Sequence, residues 1–210
     1  AAMIDAMLLP LQRRLLAPMA KALVARGISA DQISLAGFAI GALCLPALAF
    51  HAYGLALLLL ALNRLADGLD GAAARLTKPT DRGAFIDIAL DFVFYALFPL
   101  GFALADPAAN ALPAAILITA FVGTGSSFLA FAAIAAKRGM TAADYPQKGI
   151  YYLGGLTEGA ETIAIFAAMA LWPSAFPALA LIYALACAVT TALRWLQGWR
   201  AFSDPAKISR

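Results

Sequence analysis

Six apolar stretches, each about as long as a membrane-spanning helix, constrain this chain more than any other feature of its sequence. They cover roughly residues 32–50, 53–75, 82–105, 112–136, 148–171 and 176–199. An α-helix needs about 20 apolar residues to cross a bilayer, where it satisfies its own backbone polar groups. Because 63% of the residues are hydrophobic and only 13% are charged, the composition excludes an ordinary soluble domain. We therefore predict an all-α, polytopic membrane protein with six transmembrane helices.

The segment before the first apolar stretch predicts a different kind of helix. Leucine and methionine recur there at steps of three and four from Leu8 to Leu23, with basic residues between them. This pattern is typical of an amphipathic helix that lies in the membrane interface. We expect residues 1–30 to form this juxtamembrane helix, residues 31–200 the transmembrane catalytic domain, and residues 201–210 a cytoplasmic tail.

The distribution of basic residues predicts the orientation. With six spans, both termini share one side with the connections at 75–82 and 137–148, and all 15 Lys and Arg residues fall on or near that side. By the positive-inside rule this side is cytoplasmic. We expect an integral protein of a bacterial inner membrane, with its termini and active site facing the cytoplasm. The net charge of +3 reflects this topology, so nucleic acid is not an expected partner.

Four aspartates interrupt the apolar sequence between the second and third stretches. Each carboxylate near the middle of a membrane costs roughly 2.5–3.5 kcal/mol, so such a cluster indicates a function. Asp67 and Asp70 are three positions apart, and Asp87 and Asp91 are four apart, which places each pair on one helix face. Hard oxygen ligands in this number suit Mg²⁺, Mn²⁺ or Ca²⁺. The sequence therefore predicts a divalent-metal site between two membrane helices.

The residues after the first pair of aspartates favour a diphosphate ligand. Gly71 and Ala74 lie one and four positions after Asp70, so the face beside the carboxylates carries little side-chain bulk. A nucleotide would pack directly against the backbone there. Arg75 supplies a planar guanidinium whose geometry matches a phosphate.

This string resembles the signature of the CDP-alcohol phosphotransferase family, class I, which reads Asp-x2-Asp-Gly-x2-Ala-Arg-x8-Gly-x3-Asp-x3-Asp. The fixed residues of that signature are all present, as Asp67, Asp70, Gly71, Ala74, Arg75, Gly83, Asp87 and Asp91. Seven residues instead of eight separate Arg75 from Gly83, in a segment with Pro79 that we expect to be the interhelical turn. The resemblance implies a phosphatidyltransferase that moves a substituted phosphate from a CDP-linked alcohol to a hydroxyl and releases CMP.

The resemblance also implies a role for each residue of the string. The ligands of two Mg²⁺ or Mn²⁺ ions would be Asp67, Asp70, Asp87 and Asp91. Asp91 would in addition act as the general base. The residues that bind the CDP donor would be Gly71, Ala74, Arg75 and Gly83. A homodimer is a further expectation from the family.

The acceptor alcohol is not fixed by the sequence. Candidate residues for its pocket are Arg138, Lys148, Glu158, Glu161 and Arg194. Glycerol 3-phosphate or another phosphorylated polyol would use the basic members of this set, whereas a cationic amino alcohol would use the two glutamates. For Arg64, one helical turn before Asp67, three roles stay open: to line the pocket, to contact a lipid phosphate or to stabilise the aspartates.

We expect a metal-dependent membrane enzyme of phospholipid synthesis, with CDP-diacylglycerol as the favoured donor, a small alcohol as acceptor and membrane lipids as surroundings. The alternative reaction uses a soluble CDP-amino alcohol as donor and diacylglycerol as acceptor, in the manner of choline and ethanolamine phosphotransferases. An ion transporter with an aspartate relay belongs to a different class. It does not account for Arg75, since an arginine beside a cation path would oppose transport.

Overall fold

A computed structural model of the chain describes residues 15–140 and 157–203, and these two segments are almost entirely helical. The helices are α1 (Leu15–Ala25), α2 (Ala30–Ala42), α3 (Cys44–Ala49), α4 (Tyr53–Leu76), α5 (Asp81–Ala105), α6 (Pro107–Lys137), α7 (Gly159–Leu171) and α8 (Phe176–Phe202). A short 3₁₀ turn at Pro173–Ala175 precedes α8. The described segments contain no strand, and the predicted all-α class is confirmed.

Four helical stretches are long and apolar enough to cross a membrane, namely Ala30–Ala49, Asp81–Ala105, Pro107–Lys137 and Pro173–Phe202. The first of them combines α2 with α3. Of the other two predicted spans, α4 has 24 residues but carries the charged residues of the motif. The second, α7, has 13 described residues, and the predicted start of its span at residue 148 lies outside the described part of the chain. The prediction of a polytopic helical membrane protein is confirmed.

Polar caps and prolines fix where several helices begin and end. Ser29 and Gln32 form a capping box at the start of α2, and Thr80 accepts a hydrogen bond from the Gly83 backbone N–H at 3.0 Å at the start of α5. The break between α2 and α3 lies just before Pro46, which lacks a backbone N–H and whose ring conflicts with the carbonyl of Ala42. The cap at Thr80 sets the start of the helix that carries Asp87 and Asp91.

A column of phenylalanines on α5 forms the centre of the core. Phe94, Phe98 and Phe102 recur every four residues and are almost fully buried. The ring of Phe98 stacks on Phe166 of α7, and the ring of Phe102 stacks on Phe176 at the start of α8, each with centroids 4.3 Å apart. Such aromatic pairs stabilise helix contacts beyond the area that they bury. The position of α5 is therefore fixed by contacts on its core side.

Glycines allow α2 to approach α4 closely. A Cβ atom added to Gly37 would lie 2.6 Å from the Cβ of Ala66, which is closer than two carbon atoms can pack. A Cβ added to Gly41 would lie 2.8 Å from Nδ2 of Asn63. Small residues at such a seam let two helix backbones come together in a membrane, where packing drives helix association. This contact brings the start of α2 beside the aspartates of α4.

The described part of α1 packs on the same end of the molecule. Leu16 and Ala20 are buried against α2 and α4, where they contact a cluster that includes Ile33. Leu15 and Met19, on the opposite face, are exposed. This distribution agrees with an amphipathic helix at the membrane interface. The first turns of the predicted helix, before residue 15, lie outside the described residues.

Candidate active site

Three of the four aspartates form one cluster between α4 and α5. One carboxylate oxygen from each of Asp67, Asp70 and Asp87 lies within 4.8 Å of the others. Asp70 is buried, Asp67 is half-buried and Asp87 is exposed, so the cluster opens on one side. Hard oxygen atoms this close together match the ligand set of a divalent cation, and their mutual repulsion is relieved when a cation lies between them. The predicted clustering of carboxylates from two helices is confirmed.

Asp70 is held from a third helix by a residue that the sequence analysis did not single out. The Ser34 hydroxyl of α2 donates to Oδ2 of Asp70 at 2.6 Å. This short bond fixes the carboxylate and leaves its second oxygen for another partner. A signal was present in the sequence, because Ser34 is a hydroxyl group inside the first apolar stretch.

Asp91 and Asp67 share a partner on α4, the guanidinium of Arg64. Oδ1 of Asp91 accepts a hydrogen bond from Nη2 of Arg64 at 3.1 Å. The other terminal nitrogen of Arg64, Nη1, lies 3.8 Å from Oδ2 of Asp67. Of the three roles left open for Arg64, the structure places its guanidinium among the aspartates.

A cleft of about 350 Å³ leads to the cluster. Asp70 and Asp87 line it, and its walls include three of the four residues expected to bind the CDP donor, Gly71, Ala74 and Gly83. Gly71 faces open space, because the nearest atom to an added Cβ would be Nη1 of Arg75 at 3.4 Å. The fourth donor residue, Arg75, is exposed and lies over Gly71. Gly71, Ala74 and Gly83 therefore share one cleft, and the Arg75 side chain lies beside Gly71.

An ion pair joins two helix starts at the wall of this cleft. Oδ2 of Asp31 lies 2.5 Å from Nη2 of Arg82, and both residues line the cleft. A Cβ added to Gly83 would lie 2.9 Å from Oδ1 of Asp31, so a glycine is needed there for the two helices to meet. The sequence analysis did not place Asp31 or Arg82 in the site, since they are far apart in the chain.

A second cavity, of about 220 Å³, lies between α5, α6, α7 and α8. Two of the candidate acceptor residues, Glu158 and Arg194, line it together with Tyr95, Thr124 and Thr162. Nη1 of Arg194 donates to the Thr124 carbonyl at 3.0 Å, which directs the guanidinium along the cavity wall. Tyr95 follows Asp91 by one helical turn on α5. The cavity therefore adjoins the aspartate site along α5.

Two further candidate acceptor residues, Glu161 and Arg138, are not among the described residues that line this cavity. Glu161 accepts a hydrogen bond from the Glu158 backbone N–H at 3.2 Å and forms a capping box with Glu158 at the start of α7. Arg138 donates to the carbonyl oxygens of Ala201 and Phe202, at 3.4 and 2.9 Å, and so caps the end of α8. Lys148 lies outside the described residues.

Comparison with known proteins establishes the family. The family profile described as CDP-alcohol phosphatidyltransferase matches residues 27–196, which include the whole motif and both cavities. The chain belongs to the CDP-alcohol phosphatidyltransferase family. Members of this family are transferases, so the resemblance inferred from the motif is confirmed.

Named relatives agree with this membership. The chain is 51% identical to the inner membrane protein YnjF of Escherichia coli (strain K12) over 197 residues, which cover 94% of this chain and 96% of YnjF. This similarity supports an integral membrane protein of the inner membrane.

Two solved structures share the fold. The phosphatidylinositol phosphate synthase PgsA1 of Mycobacterium tuberculosis with CDP-DAG bound is 21% identical, with a TM-score of 0.66 over 94% of this chain and 98% of PgsA1. PgsA1 in complex with manganese and citrate is also 21% identical, with a TM-score of 0.67 over 93% of this chain and 92% of that one. At this identity the likeness concerns the fold.

Proposed function

We propose that this protein transfers a substituted phosphate from a CDP-alcohol, with CDP-diacylglycerol as the donor, to the hydroxyl of a small alcohol and releases CMP. The observation that carries the proposal is the cluster of Asp67, Asp70 and Asp87, two of which, Asp70 and Asp87, line a cleft whose wall includes Gly71, Ala74 and Gly83. Carboxylates alone would suit many cations. Their position at a cleft with a glycine face is what favours a nucleotide diphosphate.

The three clustered carboxylates fit a divalent metal, and together with Asp91 they are our proposed ligand set for two Mg²⁺ or Mn²⁺ ions. Bound there, such ions would act as Lewis acids and would neutralise negative charge on the diphosphate and on the leaving group. A solved structure of PgsA1 contains manganese, which supports a divalent requirement in this fold. The lipid donor is supported in the same way, since another PgsA1 structure holds CDP-DAG.

The residues of this chain bind and orient the reactants. Gly71 and Ala74 let the nucleotide lie against α4, and Arg75 pairs with a phosphate. The acceptor oxygen attacks the phosphorus of the lipid-bearing phosphate, the bond from that phosphorus to the CMP oxygen breaks, and CMP leaves with the bonding electrons. Asp91 accepts the proton from the acceptor hydroxyl as the new bond forms. This sequence yields a phosphodiester and CMP with no other reactant.

We further propose that the acceptor binds in the second cavity, beside Glu158 and Arg194. The cavity is too small for a lipid and large enough for a small alcohol. An arginine and a glutamate in one cavity suit an acceptor that carries a charged group next to its hydroxyl. We also propose that both termini and the active site face the cytoplasm, because the basic residues lie on that side. The family further suggests a homodimer, which we propose for this protein.

CMP release by the purified protein tests the proposed reaction. In detergent with CDP-diacylglycerol and Mg²⁺ or Mn²⁺, we expect CMP only when a suitable acceptor is added from a panel of phosphorylated polyols and amino alcohols. Chelation by EDTA should abolish release, and excess Mg²⁺ or Mn²⁺ should restore it.

A matched pair of carboxylate variants controls this assay. Asp70→Asn removes a member of the cluster and should abolish CMP release. Asp81→Asn removes an exposed carboxylate in the first turn of α5, outside the cluster, and should keep it. If the wild-type protein releases no CMP from CDP-diacylglycerol or from a CDP-amino alcohol with any acceptor, the proposed function is wrong. Release only from a CDP-amino alcohol with diacylglycerol would favour the alternative reaction.

A further inference from the structure

A third space, a groove between α6 and α8, lies apart from the cleft that leads to the aspartates and borders the second cavity at Arg194. Its volume is about 540 Å³. The lining residues recur at alternating steps of one and three along each helix, from Ser126 to Ile134 and from Arg194 to Phe202. Each helix therefore presents one continuous face to this space, which we call the α6–α8 groove.

The polar side chains that line the groove are engaged with other groups. The hydroxyl groups of Ser126 and Ser127 donate to carbonyls of their own helix, those of Gly123 at 3.3 Å and Thr124 at 3.0 Å. Nη1 of Arg194 donates to the carbonyl of Thr124, a residue that lines the second cavity. The surface that remains in the groove is mainly hydrocarbon, and it suits an apolar occupant.

Small residues leave this space open between larger ones. Ala130 of α6 and Gly198 of α8 carry little side-chain bulk, whereas Trp195 and Trp199 are 66% and 80% exposed. A Cβ added to Gly198 would lie 3.6 Å from the ring of Phe131, an ordinary van der Waals distance. A larger side chain at position 198 would therefore enter the groove without a backbone clash.

The groove has about the depth of one membrane leaflet. It lies between two helices that are long and apolar enough to cross a membrane, and the step of eight positions from Ser126 to Ile134 rises about 12 Å. The hydrocarbon layer of one leaflet is about 15 Å thick. The dimensions of the groove therefore match an acyl chain that enters from the leaflet beside the ends of α6 and α8.

The charge at those helix ends is positive. Lys137 lies in the last turn of α6 and Arg200 in the last turn of α8, and both are exposed. Arg138 joins the two ends, because it donates to the carbonyls of Ala201 and Phe202. The segments 126–140 and 190–203 contain no aspartate or glutamate. Basic residues at this level of a membrane attract anionic headgroups, and tryptophans are typical of the same level.

We propose that the α6–α8 groove binds an anionic phospholipid, with one acyl chain between the two helices and its phosphate beside Lys137 and Arg200. The apolar lining and the depth select the chain, and the basic helix ends select the charge of the headgroup. This lipid is distinct from the donor, since residues of α2, α4 and α5 line the cleft proposed for the donor. The inference does not rest on the proposed function.

Quenching of tryptophan fluorescence by brominated lipids tests this proposal, because two of the three tryptophans line the groove. Trp172→Phe leaves only these two. In phosphatidylcholine vesicles, we expect acyl-brominated phosphatidylglycerol to quench this variant with an apparent affinity at least about threefold that of brominated phosphatidylcholine. The variant with both Trp195→Phe and Trp199→Phe keeps Trp172, which is exposed at the end of α7, and should show no preference. Equal affinity of the two lipids for the groove tryptophans would overturn the proposal.

Substitutions in the Trp172→Phe background separate the headgroup from the chain. Lys137→Gln with Arg200→Gln should remove the preference for phosphatidylglycerol. Gly198→Leu fills the groove and should also remove it, whereas Ala192→Leu, at an exposed position of α8 outside the groove, should leave it unchanged.

Two further outcomes would count against the site. A preference that survives both the charge change and Gly198→Leu would place the anionic lipid elsewhere. Groove tryptophans that neither lipid quenches would show that a second copy of the chain covers the groove. If Gly198→Leu does not fold, as judged by size-exclusion chromatography, the exposed charge variant still decides the result.

Discussion

At the scale of single residues, Asp70 and Asp91 differ in the group that holds each carboxylate. Asp70 accepts a bond from the neutral hydroxyl of Ser34 at 2.6 Å, and Asp91 accepts one from the charged guanidinium of Arg64 at 3.1 Å. A neutral donor leaves the full negative charge of Asp70 for a cation, whereas Arg64 partly neutralises Asp91. The neutral partner of Asp70 suits the metal-binding role proposed for that carboxylate.

Replacement of Asp91 by asparagine separates the proposed proton-accepting role from metal binding. We expect Asp91→Asn to lower kcat by about 10²–10⁴-fold, because an amide cannot accept the proton of the acceptor hydroxyl. Binding of the CDP donor should remain near the wild-type level, as measured by equilibrium dialysis with Mn²⁺ present. Asp87→Asn is the matched control on the same helix, and it should weaken donor binding as well. Near-normal turnover of the Asp91→Asn protein would contradict the role of Asp91.

Gly71 offers a second test at this scale, because the proposed nucleotide would occupy the space beside it. An added Cβ would meet Nη1 of Arg75 at 3.4 Å and no other atom within 4 Å in the described structure. We therefore expect Gly71→Ala to keep or slightly raise the melting temperature, since alanine favours a helix by up to about 1 kcal/mol over glycine. KM for CDP-diacylglycerol should rise by about tenfold, because the methyl group occupies the space of the nucleotide.

Gly83→Ala is the contrasting variant for this test. Its Cβ would lie 2.9 Å from Oδ1 of Asp31, so we expect it to disturb the Asp31–Arg82 ion pair even without substrate. Gly71→Ala with an unchanged KM would show that the nucleotide does not pack on this face of α4.

At the scale of helices, the site depends on α2, α4 and α5 meeting at one end. α4 and α5 supply the four aspartates, and α2 supplies Ser34 and the carbonyl that holds Asn63. The phenylalanines of α5 fix that helix from the core, and the glycines of α2 fix its distance from α4. A change at the α2–α4 seam should therefore reach the carboxylates, although it touches none of them.

Gly37→Ala tests this dependence. The added methyl group would lie 2.6 Å from the Cβ of Ala66, so the two helices must move apart. We expect a loss of about 1–3 kcal/mol in the free energy of unfolding, together with reduced CMP release, because Ser34 withdraws from Asp70. Gly54→Ala, in the first turn of α4 with no atom within 4 Å of its added Cβ, is the matched control; it should keep or slightly raise the free energy of unfolding and leave CMP release unchanged. Thermal unfolding in detergent measures the first effect, and equal stability of the two variants would contradict it.

At the scale of the whole molecule, the basic residues and the site share one end of the helical bundle. Lys78 and Arg82 line the cleft that leads to the aspartates. Arg138 caps the end of α8 that the predicted topology places on the same side of the membrane. The opposite connections contain no Lys or Arg. This asymmetry supports a cleft that faces the cytoplasm, where a nucleotide donor is handled.

Cysteine labelling in bacterial membranes tests the orientation. The native Cys44 and Cys187 are both buried, so they should react little with a membrane-impermeant maleimide. We expect Asp81→Cys, at the exposed start of α5, to react in inside-out vesicles and to be protected in intact spheroplasts. Ala108→Cys, at the exposed start of α6, should show the reverse. The opposite pattern for both positions would contradict a cytoplasmic active site.

The sequence by itself determined the helices, the paired aspartates and the glycine face of α4. Each of these depends on local information, since apolar length sets a span and a step of three or four sets a helix face. The family signature is local in the same sense, because Asp67 to Asp91 form a single helix–turn–helix segment.

Only the tertiary structure decided which groups hold those residues. Three contacts join side chains from different helices, namely Ser34 with Asp70, Arg64 with Asp91, and Asp31 with Arg82. These contacts depend on how closely α2, α4 and α5 pack against one another. The structure shows that Arg138 and Glu161, two of the candidate acceptor residues, hydrogen-bond at helix ends, where carbonyl and N–H groups need partners. Such choices follow from the shape of the packed helices, because a charged side chain takes the partner that the packing brings within reach. These contacts therefore depend on the packing of the whole helical bundle, and no single sequence motif specifies them.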